Sequence, residues 1–157
     1  FHYRITQIKT KFNMFFIFFC YNLFDLDKLI NITEEDFREC KVGFRAPYIR
    51  NAVEKVYNGE ISADMLLVMS ADEAREKLMT IKGVGEKVAN CVLLFGLGFT
   101  DSFPVDVWIK RTVEYFYFEE EQDIKAIKSF ADSKFGDFGG YAQQYLFYYA
   151  RENKIGV

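Results

Sequence analysis

Positive charge is what this chain most lacks. Lys and Arg number 20 against 23 Asp and Glu, giving a net charge of −3 and a pI near 5.3. That balance does not advertise a protein built to hold a polyanion. Cysteine is scarce as well: Cys20, Cys40 and Cys91 have no metal-ligand spacing and make no disulfide framework, so no metal site is expected. No apolar run is long enough for a membrane span, which takes roughly 18–20 residues. The longest, Phe12 to Phe24, covers 13 residues and holds six phenylalanines. Arg4, Lys9 and Lys11 ahead of it mimic the start of a signal peptide, yet no initiator Met or small-residue cleavage site accompanies them. Residues 1–31 are set apart as an apolar segment. A buried helix is favoured there over a targeting segment or a mis-spliced start. A first residue other than Met leads us to expect a fragment. Strand-like alternation of any length is also missing, which predicts an all-α domain over residues 32–157.

What is present suits a packed globule. Half the residues are apolar, 18% are aromatic and 27% charged, and 157 residues are enough for one domain with a sizeable core. Thr33 with Asp36 three residues on opens a short helix to about Lys41. Gly43-Phe44-Arg45 leads into a second that Asn58-Gly59 stops near Tyr57. Ser62 begins a third, and Ser70-Ala71-Asp72-Glu73 has the form of a capping box for a fourth, ending near Met79. Pro104 suits a helix entrance, with Asp106 at or beside the N-cap of a helix carrying Val107, Ile109, Val113 and Phe116. Residues 122–135 read as an amphipathic helix closed by Gly136. Gly139-Gly140 should precede a last, aromatic helix to about Asn153. Glu119, Glu120, Glu121 and Asp123 form an acidic run best read as a solvated loop and helix start.

Between Met79 and Phe99 lies the stretch around which the rest is organised. Ile81-Lys82-Gly83-Val84-Gly85 is a tight two-glycine turn running straight into a helix that Gly96 and Gly98 should end. Gly83 and Gly85 are free to take positive φ and leave their N–H groups open to approach. Such a turn feeding a helix is a site for a phosphate. Val88, Val92 and Phe95 recur at helical spacing and should face a core, while Lys87 and Cys91, four apart, share another side. Arg45, Arg50, Lys77, Lys82, Lys87, Lys110 and Arg111 gather near these segments, so the local field is more basic than the sum. A glycine turn chosen for steric reasons is the plainer alternative.

Gly83-Val84-Gly85-Glu86-Lys87-Val88-Ala89-Asn90-Cys91 and Pro104-Val105-Asp106-Val107-Trp108 together resemble the helix-hairpin-helix/Gly-Pro-Asp motif of base-excision DNA glycosylases. Within that superfamily they are most similar to the 8-oxoguanine DNA glycosylases, whose pattern is GVGxKVAxC followed by PVDxW or PVDxH. Gly140-Tyr141-Ala142-Gln143-Gln144-Tyr145-Leu146-Phe147 and Gly43-Phe44-Arg45-Ala46 match two further family segments, and the match covers roughly residues 33–153. The iron–sulfur relatives carry a four-cysteine cluster near the C-terminus, and nothing like it follows Asp106.

The resemblance implies a cofactor-free monomer acting on duplex DNA that contains oxidised guanine. It would be cytoplasmic in a prokaryote, nuclear in a eukaryote, and not bound to a membrane. It implies a glycosylase with AP lyase activity that excises 8-oxoguanine through a lysine Schiff base. Lys87 would be the nucleophile and Asp106 the group that stabilises positive charge on the sugar or assists proton transfer. The N–H groups of Gly83, Gly85 and Val88 would hold backbone phosphate. Arg45 would reach the cytosine left behind, with Gln143 hydrogen-bonding the flipped base, Phe147 stacking on it and Cys91 against its other face. Each residue also has an ordinary reading: a solvated lysine, an N-cap aspartate, a surface arginine, a small core cysteine. Trp108 would touch phosphate or, slightly favoured, pack.

Family members carry a further N-terminal domain, a twisted antiparallel sheet, with no counterpart here. The Asn-rich segment that fills the gap in the duplex has at best a degenerate trace in His2-Tyr3-Arg4-Ile5. The chain therefore looks like an N-terminally truncated member. A non-catalytic helix-hairpin-helix DNA-binding module or an inactive fragment is the alternative, and a secreted helical protein is a third reading that needs only the apolar run.

Overall fold

The computed structural model describes residues 26–155. The helix expected in the Phe12–Phe24 run, Cys20 and the His2-Tyr3-Arg4-Ile5 segment lie outside the described residues. Among those described, every regular element is helical and no strand is present, as the missing alternation predicts. Contacts divide the chain into two compact units, with the division at the Gly85–Glu86 peptide.

The first unit contains the helices α1 (Leu26–Leu29), α2 (Glu34–Glu39), α3 (Ala46–Tyr57), α4 (Ala63–Leu67) and α5 (Ala71–Met79), with a 3-10 turn, Gly43–Arg45, ahead of α3. Helices this short do not hold in isolation, so their ends and their buried faces must hold them. The Asp36 N–H donates to Thr33 Oγ1 at 3.2 Å while the Thr33 N–H donates to the Asp36 carboxylate at 2.8 Å. Ser70 and Glu73 repeat the arrangement at the start of α5. Each box satisfies two amide groups that a first turn leaves without a helical partner. The Thr33 and Ser70 hydroxyls also donate to these carboxylates, each at 2.7 Å, and with the backbone N–H groups they hold the carboxyls of Asp36 and Glu73 below their ordinary values. Ser62 caps α4 through the Met65 N–H.

Ala46, Ile49 and Val53 of α3 share one face and are buried with Phe37 and Val42, and Leu26, Leu29, Ile30 and Ile32 close over them. Arg50, one turn on from Ala46, turns to the segment that covers this face. Its guanidinium donates to the carbonyls of Ile30 and Ile32, the latter at 2.7 Å, and pairs with Glu54 at 2.8 Å. A residue expected among the cations of the glycine-turn region thus ties α3 to the segment that follows α1.

The second unit holds α6 (Glu86–Val92), α7 (Val107–Tyr117), α8 (Ile124–Phe135) and α9 (Gly139–Glu152). Of the two glycines expected to end the helix that begins with α6, Gly98 does so and Gly96 lies within it. α6 widens into a π-helical turn, Leu93–Leu97, which Gly98 closes in the left-handed region at φ 78°. A π turn holds more residues than an α turn, so the spacing that aligns Val88 with Val92 fails at the next step. Val92 is buried and Val88 half-buried, but Phe95, expected beside them, is 37% exposed.

Asp106 and Asp123 cap α7 and α8 by accepting from the N–H groups of Ile109 and Ala126 at 2.8 and 2.7 Å. The cap sets the register of α7. Ile109 and Val113 turn inward, whereas Val107, two residues before Ile109, is 61% exposed. Phe116 is 39% exposed and meets Tyr149 edge-on at 5.6 Å. Phe103, Val105, Ile109, Val113, Ile127 and Ala131 form the core of this unit, with Leu146 and Phe147 of α9 packed against it.

Gly139 and Gly140 are the first residues of α9 and do not precede it. They are glycines because the loop before α7 crosses them. The Gly140 N–H donates to the Thr100 carbonyl at 2.7 Å. A Cβ on Gly140 would lie 3.0 Å from the Ser102 carbonyl oxygen and 2.2 Å from Leu94 Cδ1, and one on Gly139 would lie 3.0 Å from the Asp101 carbonyl oxygen. Backbone cannot retreat as a side-chain tip can. We expect Gly140→Ala to lower the free energy of urea unfolding by roughly 1–3 kcal/mol. Gly96→Ala, whose Cβ would meet nothing nearer than Val92 Cγ1 at 3.9 Å, should be neutral or mildly stabilising in the same measurement.

Candidate active site

Lys87 is the second residue of α6 and is half-buried. One turn on, Cys91 is only 5% exposed. Burial pushes its thiol up from the ordinary 9.0 to about 11, against the pull of the Lys87 ammonium and with a further push from the Asp106 carboxylate. A charge acts on a thiol in this way only from nearby. Lys87, Cys91 and Asp106 therefore share one neighbourhood, although the aspartate comes from the start of another helix.

The segment from Ser102 to Val105 is buried and delivers Asp106 to its place. Asp106 sits at the α7 N-terminus, and the cap engages its Oδ1. The same segment fixes Gln143. The Gln143 side chain is buried and its Nε2 donates to the Pro104 carbonyl at 3.2 Å, two residues before Asp106. Phe147, one turn further along α9, is half-buried against the core. Val88 is half-buried on α6. The second unit thus contains Lys87, Val88, Cys91, Asp106, Gln143 and Phe147.

Arg45, Gly83 and Gly85 belong to the first unit. Gly83 takes φ +81°, and a Cβ there would lie 2.4 Å from Tyr48 Cδ2. Only glycine suits both conditions. The Lys82 N–H donates to Asn51 Oδ1 at 2.8 Å, and Val84 is buried, so α3 pins the turn at Lys82 and Gly83. Gly85 does not use the same freedom. Its φ is not positive and a Cβ would meet nothing within 4 Å, so neither strain nor crowding explains this glycine, and its backbone faces open space.

Arg45 is exposed at the end of the 3-10 turn, its guanidinium 4.6 Å above the Phe44 ring. Phe44 is 68% exposed, and nothing in its sequence context marked it beyond its place beside Arg45. Trp108 is 44% exposed rather than packed. Lys110 is engaged by Glu114 at 2.7 Å and Glu121 at 2.8 Å, so its charge is largely met within the chain. Lys128 of α8 pairs with Glu86, the neighbour of Lys87, a link that sequence reasoning missed because no local pattern joins residues so far apart. Among the described residues no group of three His, Cys, Asp or Glu is placed to hold a metal, and no helix is long and apolar enough to cross a membrane.

The Cys91 thiol makes a pH dependence with a definite sign. Its folded value is raised, so the stability it contributes is complete below pH 9 and is lost as pH rises towards about 11. Two units correspond to about 2–3 kcal/mol. Urea unfolding should therefore weaken between pH 9 and 11 by roughly this amount more in the parent than in Cys91→Ala, which has no thiol to ionise.

Residues 4–134 match the model of the HhH-GPD superfamily base excision DNA repair proteins. The chain is 40% identical over 120 residues to a probable N-glycosylase/DNA lyase of Methanothermobacter thermautotrophicus, covering 76% of this chain and 38% of that protein. It is similar, with a TM-score of 0.79 and 48% identity, to the solved structure of MBOgg1 in complex with a low-affinity DNA ligand. It is similar, with a TM-score of 0.78 and 44% identity, to the Clostridium acetobutylicum 8-oxoguanine glycosylase/lyase in complex with DNA containing cytosine opposite 8-oxoG. Both structural matches cover 83% of this chain and 45% of the other. The chain thus spans less than half the length of these relatives. With the glycine turn, the capped aspartate and the α9 glutamine all in place, it belongs to the HhH-GPD superfamily of base excision DNA repair proteins.

Proposed function

We propose that this chain carries the chemistry of a base-excision DNA glycosylase with AP lyase activity, acting on 8-oxoguanine in duplex DNA. What carries the reading is the placement, in a chain of the HhH-GPD superfamily, of a half-buried Lys87 one turn before Cys91 and of Asp106 at the α7 N-cap. A half-buried amine and an acid at a helix start, in one neighbourhood, are the two groups that such a reaction needs. The duplex in the Clostridium complex, with cytosine opposite 8-oxoG, supports the choice of base.

A base within a duplex is out of reach, so the nucleotide must first rotate out of the stack. The N–H groups of Gly83, Gly85 and Val88 hold backbone phosphate, which positions the strand without reading its sequence. The open space at Gly85 suits that close approach. Lys87, as the free amine, attacks C1′ of the sugar. The bond to the base breaks, and the base departs with the bonding electrons and takes up a proton. The carboxylate of Asp106 stabilises the positive charge that develops on the sugar or assists the proton transfer. Ring opening leaves a Schiff base between Nζ and C1′. Loss of a proton from C2′ then expels the 3′ phosphate by β-elimination. Gln143 hydrogen-bonds the extruded base, Phe147 stacks on it and Cys91, a neutral thiol at pH 7, lies against its other face. Arg45 reaches the cytosine left behind, and the exposed Phe44 ring beside it is suited to enter the vacated space as an apolar wedge.

Borohydride reduction on a duplex containing 8-oxoguanine opposite cytosine tests the reading. A covalent protein–DNA adduct should form with the parent and vanish in Lys87→Gln. Salt-sensitive binding with no adduct, indifferent to that change, would point to a non-catalytic DNA-binding module. Asp106→Asn separates the two duties of the aspartate. Asn caps a helix as well as Asp does, so thermal unfolding should stay within about 1 kcal/mol of the parent. The single-turnover excision rate should fall by roughly 100- to 10,000-fold.

A further inference from the structure

Gln143 is held at two places, and the second holder is its own neighbour. The Pro104 carbonyl has no hydrogen to give, so the Gln143 arm facing it must be the Nε2 amide. The Gln143 Oε1 is thereby turned the other way, where Gln144 Nε2 donates to it. Adjacent residues on a helix do not normally face one another. Here both side chains swing together, Gln143 buried and Gln144 half-buried.

We propose that Gln144 is a positioning residue: by donating to Gln143 Oε1 while Pro104 accepts from Nε2, it locks the Gln143 amide in one of its two flipped states. A glutamine amide has two N–H donors and two lone pairs on its oxygen. One of each is engaged, leaving one donor and one acceptor in a fixed plane. That pair complements the edge of a guanine-type base, which offers a ring N–H and a carbonyl. Without Gln144, Gln143 keeps a single tether and its plane is free to swing. A flipped amide would set its donor and acceptor against those of the base. The assignment rests on the function proposed above, because only an extruded purine gives Gln143 something to read.

The test uses the whole chain with Gln144→Met, which keeps the length of the side chain but cannot donate, and Gln144→Glu, which keeps its shape and at neutral pH also cannot donate. In nitrogen-15 spectra the Gln143 side-chain amide protons should exchange with water on the order of tenfold faster in both variants, because an amide no longer held at Oε1 swings off the Pro104 carbonyl more often. Excision of 8-oxoguanine should fall about tenfold more than strand cleavage at a preformed abasic site, where no base remains to be held. Gln143 amide protons that exchange as slowly in both variants as in the parent would overturn the assignment. So would an equal fall in excision and abasic cleavage, which marks a merely structural role. Absence of any borohydride adduct with the parent would sink the proposed function instead, while the exchange rates would still decide whether Gln144 holds Gln143.

Discussion

The second unit depends on one close crossing, that of the loop from Thr100 to Pro104 over the first turns of α9. Two glycines allow the approach, the Thr100 carbonyl receives the Gly140 N–H, and the Pro104 carbonyl receives the Gln143 amide. A side chain at either glycine would push loop and helix apart. Because the loop leads directly into Asp106, the crossing also sets where that carboxylate sits. Phe103 and Val105, alternating with these polar contacts, enter the core below. One constraint thus fixes both the acid at the start of α7 and the amide on α9, with hydrogen bonds on one side of the loop and apolar burial on the other.

Much of this was legible in the sequence wherever the cause is local. Thr33, Ser62, Ser70, Asp106 and Asp123 all act as caps, and each helix begins within a residue or two of the expected place. What could not be read were effects that need a second segment. Gly139-Gly140 looked like a helix boundary because glycine usually breaks helices, whereas here the crossing loop requires them. Phe95 was placed inward by a periodicity that the π turn interrupts. Gly83 uses the positive φ open to both turn glycines and Gly85 does not. The tie of Arg50 to Ile30 and Ile32 and the pairing of Glu86 with Lys128 join residues that no window connects.

The net charge of −3 becomes easier to reconcile with a DNA-repair family once the cations are followed individually. Arg50 and Lys110 serve carbonyls and carboxylates within their own units. The acidic run is partly consumed the same way, with Glu121 on Lys110 and Asp123 as a cap. Arg45 remains exposed on its turn, its guanidinium over the Phe44 ring. Counting charges over the sequence weighs all these groups equally, although an internally matched pair contributes little field at a distance.

The residues of the site fall into two kinds, and the difference follows from what each must meet. Asp106, Gln143 and Phe147 each have structural work in the free chain, as helix cap, loop tether and core ring. Groups held in this way need no rearrangement when charge develops or a base arrives, which is where fixed dipoles act most strongly. Arg45, Phe44 and the backbone at Gly85 are exposed or open instead. Under the proposed function they would meet a partner whose shape must change before it fits, since a duplex with one nucleotide extruded does not exist until it is bound. On that proposal, rigid groups for the reacting atoms and exposed groups for the deformed strand would be two answers to one physical demand. The energy for opening the duplex must come from contacts made only after it has opened.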